Sequence, residues 1–194
     1  GMAAFREGLI EVQDEGSQLI SLLVNAEPGM TVVDYCAGAG GKTLALAAAM
    51  TRNGQLDGRL TACDVAAGRL RRMEGRLKRA RVKGVECRVL DDDSDAWLEE
   101  KAASADRVLL DVPCSATGTW RRRPDTRWRL TADDVEAQTE RQRRLLDDAQ
   151  GLVMPGGRLI YATCSVLAQE NELPVADFLD RHPDFAALDC AQVW

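Results

Sequence analysis

The sequence predicts an α/β fold in which helices cover both faces of a parallel sheet. Five β-rich apolar runs recur along the 194 residues, at 30–35, 59–65, 85–90, 106–112 and 157–164. Segments of helical pattern separate them, and this β-α-β-α order is typical of parallel sheets. The runs are almost continuously apolar, as expected for strands that are buried on both faces. With 45% hydrophobic residues the chain can bury one core, so we expect one domain over residues 1–194.

The helices are predicted in the same order. The segment 17–29, SQLISLLVNAEPG, reads as a helix that leads into the first strand, and 42–50, KTLALAAAM, is rich in helix formers. In 69–83 an apolar stripe at helical spacing predicts a basic amphipathic helix, with Leu70, Met73, Leu77 and Ala80 on its buried face.

A capping box predicts the start of the longest helix. Thr131 is followed three residues later by Asp134, and the helical pattern runs toward MPGG at 154–157, where we expect a turn before the fifth strand.

The composition excludes several classes of protein. No run of eighteen apolar residues exists, and GMAAFREG at the start lacks the features of a signal peptide, so we expect a cytoplasmic protein with no membrane partner. Gly1 ahead of Met2 is typical of an expression scar, which suggests a longer natural protein. The six cysteines show no CxxC spacing and His182 is the only histidine, so we expect no metal site.

Positive charge is concentrated in two segments although the formal net charge is -6. Eight Lys or Arg residues in 69–83 are expected to solvate the outer face of the basic helix. The segment 121–129, RRRPDTRWR, has no apolar periodicity and contains Pro124, so it reads as a loop. Arginines interleaved with tryptophan suit contacts to phosphates and bases, and we assign RNA binding to Arg121, Arg122, Arg123 and Arg127.

Polar and thiol side chains follow all five predicted strands. In parallel sheets, ligands bind beyond the carboxyl ends of the strands, which meet at one edge. The residues predicted at that edge are Asp34, Cys36, Asp64, Asp91, Asp111, Cys114 and Cys164.

A glycine-rich loop, YCAGAGGKT at 35–43, joins the first strand to the next helix. It fails the P-loop pattern because Cys36 stands where the first glycine should be, and it fails G-x-G-x-x-G because position 43 is Thr43. Such a loop still lets a cofactor approach the backbone, with helix-start N–H groups available to a carboxylate. We assign cofactor binding to Cys36, Ala37, Gly38, Ala39, Gly40, Gly41 and Lys42.

Acidic residues after the next two strands suit an adenosine-containing cofactor. Asp64 is placed to accept hydrogen bonds from ribose hydroxyls, and Asp91, or else Asp92, could reach the adenine. We add Arg69 and Asp111 to the cofactor-binding set. A methionine carboxylate at the loop and a ribose at Asp64 together describe S-adenosylmethionine.

These motifs resemble the Sun-domain family of RNA cytosine-5 methyltransferases, which includes bacterial enzymes acting on small-subunit ribosomal RNA. The similar segments are VQDEGSQL, DYCAGAGGKT, DRVLLDVPCSATGTWRRRPDTRW and YATCSVLAQENE. The family commonly has alanine and glycine where this chain has Val112 and Ala116. The resemblance implies a Rossmann-like methyltransferase fold with strand order 3-2-1-4-5. It also leads us to expect a catalytic core without the family's N-terminal RNA-docking region and C-terminal closing strands.

The resemblance also implies residue roles. Cys164 would add to carbon 6 of cytosine and activate carbon 5, because a thiolate is a strong nucleophile. Cys114 would serve the release step, Asp111 would bind the cytosine ring near N3, and Lys42 would orient the loop or the cofactor carboxylate. The implied partner is RNA, ribosomal RNA in the first place and transfer RNA as the alternative; the oligomeric state stays open.

Two other functions remain open at this stage. In a DNA cytosine-5 methyltransferase the thiol after proline, Cys114, would attack and Cys164 would be incidental. The third hypothesis is a nucleotide-binding or RNA-binding module that has the fold without turnover.

Overall fold

The computed structural model describes residues 2–91 and 94–193, apart from the side chain of Gln192. Asp92, the predicted fallback for Asp91, lies outside the described residues. The strands are β1 Thr31–Asp34, β2 Thr51–Arg52, β3 Gln55–Leu56, β4 Arg59–Asp64, β5 Val85–Val89, β6 Ala105–Asp111 and β7 Val153–Ala162. The helices are α1 Ala3–Arg6, α2 Glu15–Leu23, α3 Gly41–Ala49, α4 Ala67–Arg79, α5 Ser94–Glu100, α6 Ala132–Gln150, α7 Glu172–Arg181 and α8 Cys190–Val193.

Five parallel strands form the main sheet in the order β5-β4-β1-β6-β7. Counted over the five predicted strands this is the order 3-2-1-4-5, so that prediction is confirmed. Strand β1 lies in the centre, and the chain winds outward from it first in one direction and then in the other. The reversal of direction between β1 and β6 creates the crevice in which such sheets bind ligands.

Both faces of the sheet are covered, as the apolar strands predict. Consecutive residues of β1 point to opposite faces of the sheet. Val32 packs with Leu46 of α3 and with Met50, which directly follows that helix. Val33 packs on the other face with Leu146 of α6 and Phe178 of α7. The predicted stripe of the basic helix α4 is confirmed as well, since its Leu, Met and Leu positions are buried in a third cluster.

Two features of the chain differ from the sequence-based expectation. The antiparallel hairpin β2-β3 was not predicted, although Asn53 and Gly54 between its strands both have positive φ, the conformation that Asn-Gly supplies to tight hairpins. Strand β7 begins at Val153 instead of 157, because Gly156 at φ 81° lets MPGG form a bulge within the strand. Strand β7 also ends at Ala162, so Cys164 lies in the loop beyond it.

The capping box of α6 is present. The Thr131 side chain accepts a hydrogen bond from the Asp134 N–H, and the Asp134 carboxylate accepts one from the Thr131 N–H. None of the helices described is long and apolar enough to cross a membrane.

Candidate active site

A cavity of about 340 Å³ opens at the carboxyl ends of β1 and β6. That volume lies in the range of about 300–1,000 Å³ typical of small-molecule sites. The predicted residues that line it are Cys36, Ala37, Gly38, Ala39, Gly41, Lys42 and Asp111. Its other walls come from Val12, Gln13, Asp14, Ser17, Asp34 and Arg76. Gly40, Asp64, Arg69 and Asp91 are not among the described residues that line it.

The glycine loop takes its shape from two close approaches. Gly40 caps α3 with φ 83°, and a Cβ atom there would lie 2.3 Å from Cγ of Met73 in α4. Gly40 is therefore needed for the packing of the loop on α4, and only its neighbours face the cavity. Gly38 also has positive φ, at 57°, with open space where a side chain would point.

Asp34 is a buried carboxylate beside this cavity. One of its oxygens accepts a hydrogen bond of 2.6 Å from the Thr43 hydroxyl, and the other is buried without a partner in the described part of the chain. Burial raises the pKa of Asp34 to about 7, against the opposing effect of the Thr43 bond. A buried, unpaired acceptor next to a cavity is costly unless a ligand donor satisfies it.

Asp64 is bound by the backbone. Its carboxylate accepts hydrogen bonds from the N–H of Gly38 at 2.9 Å and the N–H of Ala66 at 2.7 Å, and Arg69 lies 3.6 Å from it. Asp64 thus fixes the glycine loop against the start of α4, and a carboxylate has lone pairs left for further donors. Asp91 follows β5, where its N–H bonds to the Ser94 hydroxyl at 2.6 Å.

Lys42 joins the glycine loop to the end of β6. Its ammonium group lies 2.6 Å from the Asp111 carboxylate and 3.4 Å from the Ser17 hydroxyl. The Lys42 side chain is 11% exposed and the Asp111 side chain 33% exposed, so this ion pair is partly shielded from solvent. Asp111 is thus the ion-pair partner of Lys42, the residue predicted to orient the loop or the cofactor carboxylate.

The thiols of Cys114 and Cys164 lie next to each other. The Cys114 and Cys164 sulfur atoms are 3.2 Å apart, and the N–H of Cys164 points to the Cys114 sulfur at 3.3 Å. This proximity follows from topology, because β6 and β7 are neighbouring parallel strands with Asp111 paired to Ala162. Cys164 is exposed and Cys114 partly buried, so the pair faces solvent.

The contact between the two sulfur atoms couples their pKa values. The hydrogen bond from Cys164 lowers the pKa of Cys114 to about 7, although burial opposes this shift. The same hydrogen bond raises the pKa of Cys164, and burial and the nearby Asp111 charge raise it further. A hydrogen bond from one thiol thus stabilises the thiolate form of the other.

A buried carboxylate that the sequence analysis left without a role holds the two cysteine loops together. Glu170 is fully buried and accepts hydrogen bonds from the Ser115 N–H at 2.7 Å, the Ser115 hydroxyl, and the Gln142 amide at 3.1 Å. A signal for Gln142 existed, since it occupies a core position of α6 in line with Leu146 and Ala149. For Glu170 the available signal was its place in the ENE segment after TCS.

The loop after β6 contains one strained residue. Ala116 has φ 56° and ψ 28°, the left-handed conformation that glycine adopts without cost. The resemblance placed glycine at this position in related proteins, and the geometry gives the physical reason. Two residues on, the N–H of Gly118 donates to the Cys164 carbonyl at 3.0 Å, and a Cβ on Gly118 would lie 2.9 Å from that oxygen.

The arginine segment forms a short 3-10 turn at Pro124–Trp128. Trp128 is 79% exposed, and the Arg127 guanidinium stacks over its ring at 4.9 Å. Arg122 is paired with Asp14, which ties this segment to the wall of the cavity. Arg121 and Arg123 are exposed.

The remaining cysteines and the histidine lie outside this arrangement. Burial raises the pKa of Cys36 and of Cys63, so both thiols stay protonated. His182 packs on Phe178 and lies 3.3 Å from Asp147 in the α6-α7 contact. In residues 2–91 and 94–193 no cluster of three or more His, Cys, Asp or Glu side chains is arranged to hold a metal ion.

Known proteins resemble this chain over most of its length. The family model of the 16S rRNA methyltransferase RsmB/F matches residues 21–193. Ribosomal RNA small subunit methyltransferase B of Vibrio cholerae is 40% identical over 184 residues, which cover 94% of this chain and 41% of that protein. The chain thus spans about two fifths of the length of the curated relatives it matches.

Two solved structures are similar to this fold. The crystal structure of PH0851 superposes with a TM-score of 0.87 at 41% identity, covering 94% of this chain and 40% of its own. NSun6 from Pyrococcus horikoshii, solved with SFG, superposes with a TM-score of 0.81 at 30% identity, covering 93% of this chain and 44% of its own.

Proposed function

This chain belongs to the 16S rRNA methyltransferase RsmB/F family, and we propose that it transfers a methyl group from S-adenosylmethionine to carbon 5 of a cytosine in RNA. We propose ribosomal RNA as the substrate, on the strength of the relatives' names, and residues 1–194 as one methyltransferase domain acting in the cytoplasm. The observation that carries the proposal is the pair of sulfur atoms, Cys114 and Cys164, 3.2 Å apart beside Asp111.

The cavity residues fit the cofactor. The buried Asp34 oxygen that lacks a partner among the described residues would accept a hydrogen bond from an amino group. The N–H groups at the start of α3 would bind a carboxylate. Asp64, Arg69 and Asp91 would serve the nucleoside end. When bound, S-adenosylmethionine supplies the methyl group as an electrophile to carbon 5.

The protein's own groups would carry out the rest. The Cys164 sulfur, after giving its proton to solvent, bonds to carbon 6 of the cytosine. The electron pair of the 5,6 double bond becomes available at carbon 5. The Asp111 carboxylate, held by Lys42, accepts a hydrogen bond from the exocyclic amine and orients the ring.

Release would reverse these bonds. Cys114, after giving its proton to solvent, takes the remaining proton from carbon 5. The 5,6 double bond forms again, and the bond between carbon 6 and the Cys164 sulfur breaks with its electron pair returning to sulfur. A Cys114 pKa of about 7 suits this release step, because a general base works best when its pKa is near the working pH.

The same pKa favours a second candidate function. Since the pKa of Cys114 is lowered, this thiol could itself be the nucleophile, as in the DNA cytosine-5 methyltransferase hypothesis. The two assignments differ in which thiol forms the bond to carbon 6.

Substitution of each cysteine separates the two functions. The variants would be incubated with a 16S rRNA transcript and labelled S-adenosylmethionine, with Cys190→Ala as a control in an exposed thiol outside the site. We expect Cys164→Ala to abolish methylation and Cys114→Ala to accumulate a covalent protein-RNA adduct on a denaturing gel. The opposite pattern, with methylation of duplex DNA, would establish the DNA assignment instead.

Calorimetry tests the hypothesis of a module without turnover. We expect S-adenosylmethionine to bind and ATP not to bind, because the glycine loop lacks the P-loop spacing. Binding of ATP alone would remove the cofactor part of the proposal.

A further inference from the structure

We propose that Glu170 is a positioning residue for the cysteine pair. Its buried carboxylate fixes the loops after β6 and β7 so that the Cys114 and Cys164 sulfurs stay within proton-transfer distance. This inference rests on the proposed function for its catalytic meaning, but its structural part can be tested without RNA or methyl donor.

The Glu170 side chain is buried among hydrogen-bond donors. It is 0% exposed, and a buried carboxylate persists only when donors replace its hydration. Burial alone would raise the pKa of Glu170, yet hydrogen bonds, those from Ser115 foremost, outweigh it and lower the pKa below its usual value. The residue is therefore an ionised, acceptor-only group, towards which the surrounding donors converge.

The donors come from the elements that carry the thiols. Ser115 follows Cys114 directly, and both its N–H and its hydroxyl bind the Glu170 carboxylate. Ser165 follows Cys164 directly, and its hydroxyl lies 3.3 Å from the Ser115 hydroxyl. The Glu170 carboxylate thus binds Ser115 directly, and the Ser115 hydroxyl in turn contacts Ser165, the residue next to Cys164.

Glu170 is itself fixed to the sheet. Its backbone carbonyl accepts a hydrogen bond of 2.8 Å from the Tyr161 hydroxyl in β7. The Gln142 amide, which binds the Glu170 carboxylate, also donates to the Pro113 carbonyl at 2.9 Å. Glu170 is held by β7 through its backbone and by α6 through its carboxylate, which makes it a rigid support for the loop of Cys114.

Charge cannot be the reason for this arrangement. The negative charge of Glu170 raises the pKa of Cys114, so it opposes formation of the thiolate. A group selected to activate Cys114 would carry the opposite charge. The role that remains is geometric.

Disulfide formation measures the positioning directly. Oxidation of the pair by diamide transfers two electrons and two protons to the reagent and joins the sulfurs only if they can approach to about 2.05 Å. The rate would be followed by mass mapping on the free protein and divided by the rate at which iodoacetamide alkylates Cys114, which removes differences in thiol reactivity.

Three variants make the test specific. We expect Glu170→Gln, which exchanges one acceptor oxygen for a donor facing the Ser115 hydroxyl, to lower the ratio by about 10- to 100-fold, the effect of a misplacement near 1 Å. Glu172→Gln, the same change at an exposed site two residues away, should leave it unchanged. Ser115→Ala removes one of the bonds to Glu170 and should have a smaller effect, and it serves if Glu170→Gln fails to fold.

A second measurement links positioning to catalysis. RNA containing 5-fluorocytosine blocks release, so adduct formation on it reports attack by Cys164 alone. We expect Glu170→Gln to slow turnover on ordinary RNA about tenfold more than adduct formation on the fluorinated RNA, since misplacement affects the Cys114 step most.

One outcome overturns the inference and a different one overturns the proposed function. If folded Glu170→Gln forms the disulfide at the wild-type ratio, Glu170 does not position the thiols. If wild type forms the disulfide but neither adduct nor 5-methylcytosine, the positioning stands and the proposed function fails.

Discussion

The Cys114 and Cys164 sulfurs lie 3.2 Å apart although fifty positions separate the two residues in the chain. Each follows the end of its own strand, β6 or β7, by two or three residues. At this distance the two thiols act as one chemical unit, and their protonation, oxidation and reactivity depend on each other.

Mild oxidation should therefore inactivate the protein reversibly. We expect diamide to convert Cys114 and Cys164 to a disulfide and abolish methylation, and dithiothreitol to restore it. Cys63 should stay reduced, because it is 0% exposed and its pKa is raised by burial.

Peptide mapping with methylation assays checks this expectation. Cys190→Ala, which alters an exposed thiol outside the site, should be inactivated like wild type. Inactivation without a bond between positions 114 and 164 would contradict it.

Asp34 should make the stability of the free protein depend on pH. Its pKa is raised from 3.8 to about 7 by burial, so the folded state holds a proton that the unfolded state releases. The stabilisation is complete below about pH 4 and is lost as the pH rises toward 7, at up to about 1.4 kcal/mol per pH unit.

Comparison with Asp34→Asn isolates this contribution. The asparagine keeps an acceptor for Thr43 and cannot ionise, so other titrations cancel in the difference. Urea unfolding at pH 5.5 to 8.5 should show wild type losing stability relative to the variant up to about pH 7 and no further change above it. A difference independent of pH would show that Asp34 titrates normally.

Gly118 should not tolerate a side chain. A Cβ there would lie 2.9 Å from the Cys164 carbonyl oxygen, a backbone atom that cannot move without displacing the thiol. We expect Gly118→Ala to cost about 1–3 kcal/mol of unfolding free energy and to reduce methylation more than this loss explains.

Gly75 offers the matched control. It lies exposed within α4, with nothing near its ideal Cβ position, so Gly75→Ala should stabilise the protein by about 0.5–1 kcal/mol. Equal effects of the two substitutions in thermal unfolding would refute the proposed close contact.

The arginine segment should contribute phosphate contacts to RNA binding, which we expect to be weak and strongly salt-dependent. Arg123→Ala and Arg127→Ala should each weaken binding and reduce the slope of log affinity against log salt by about one. Arg52→Ala, in the hairpin β2-β3 away from the carboxyl ends of the sheet strands, should change neither.

Trp128 should act differently from its neighbours. Its exposed ring offers a stacking surface, and Trp128→Ala should weaken binding by about 1–3 kcal/mol without changing the salt slope. Fluorescence titrations at several salt concentrations separate the two kinds of contact. If neither the arginine substitutions nor Trp128→Ala weakens binding, the RNA binds elsewhere on the protein.

The sequence pattern alone predicted the sheet and the edge at which the polar side chains meet. Strand composition and the order of elements determine these features, and the resemblance added the strand order. It also predicted that Lys42, Asp111 and both cysteines belong to one site, because parallel strand ends converge.

What the sequence did not reveal depends on contacts between distant segments. One wall of the cavity is formed by Val12, Gln13, Asp14 and Ser17, and no periodicity in that segment indicates this. Gln142 reaches the site from α6 and Glu170 from the loop after β7, and only the fold shows that their side chains meet. The pKa values of the thiols likewise depend on a 3.2 Å contact that sequence spacing does not define.

The shared support of the two thiol loops also constrains how the protein can change. Ser115, Thr117 and Ser165 bind one another as well as Glu170 or the neighbouring backbone, so the cost of a substitution in one loop depends on the residues in the other. Natural variation in the two loops should consequently be correlated. A chimera that joins the first loop of one relative to the second loop of another would lose function even though each loop works in its own background.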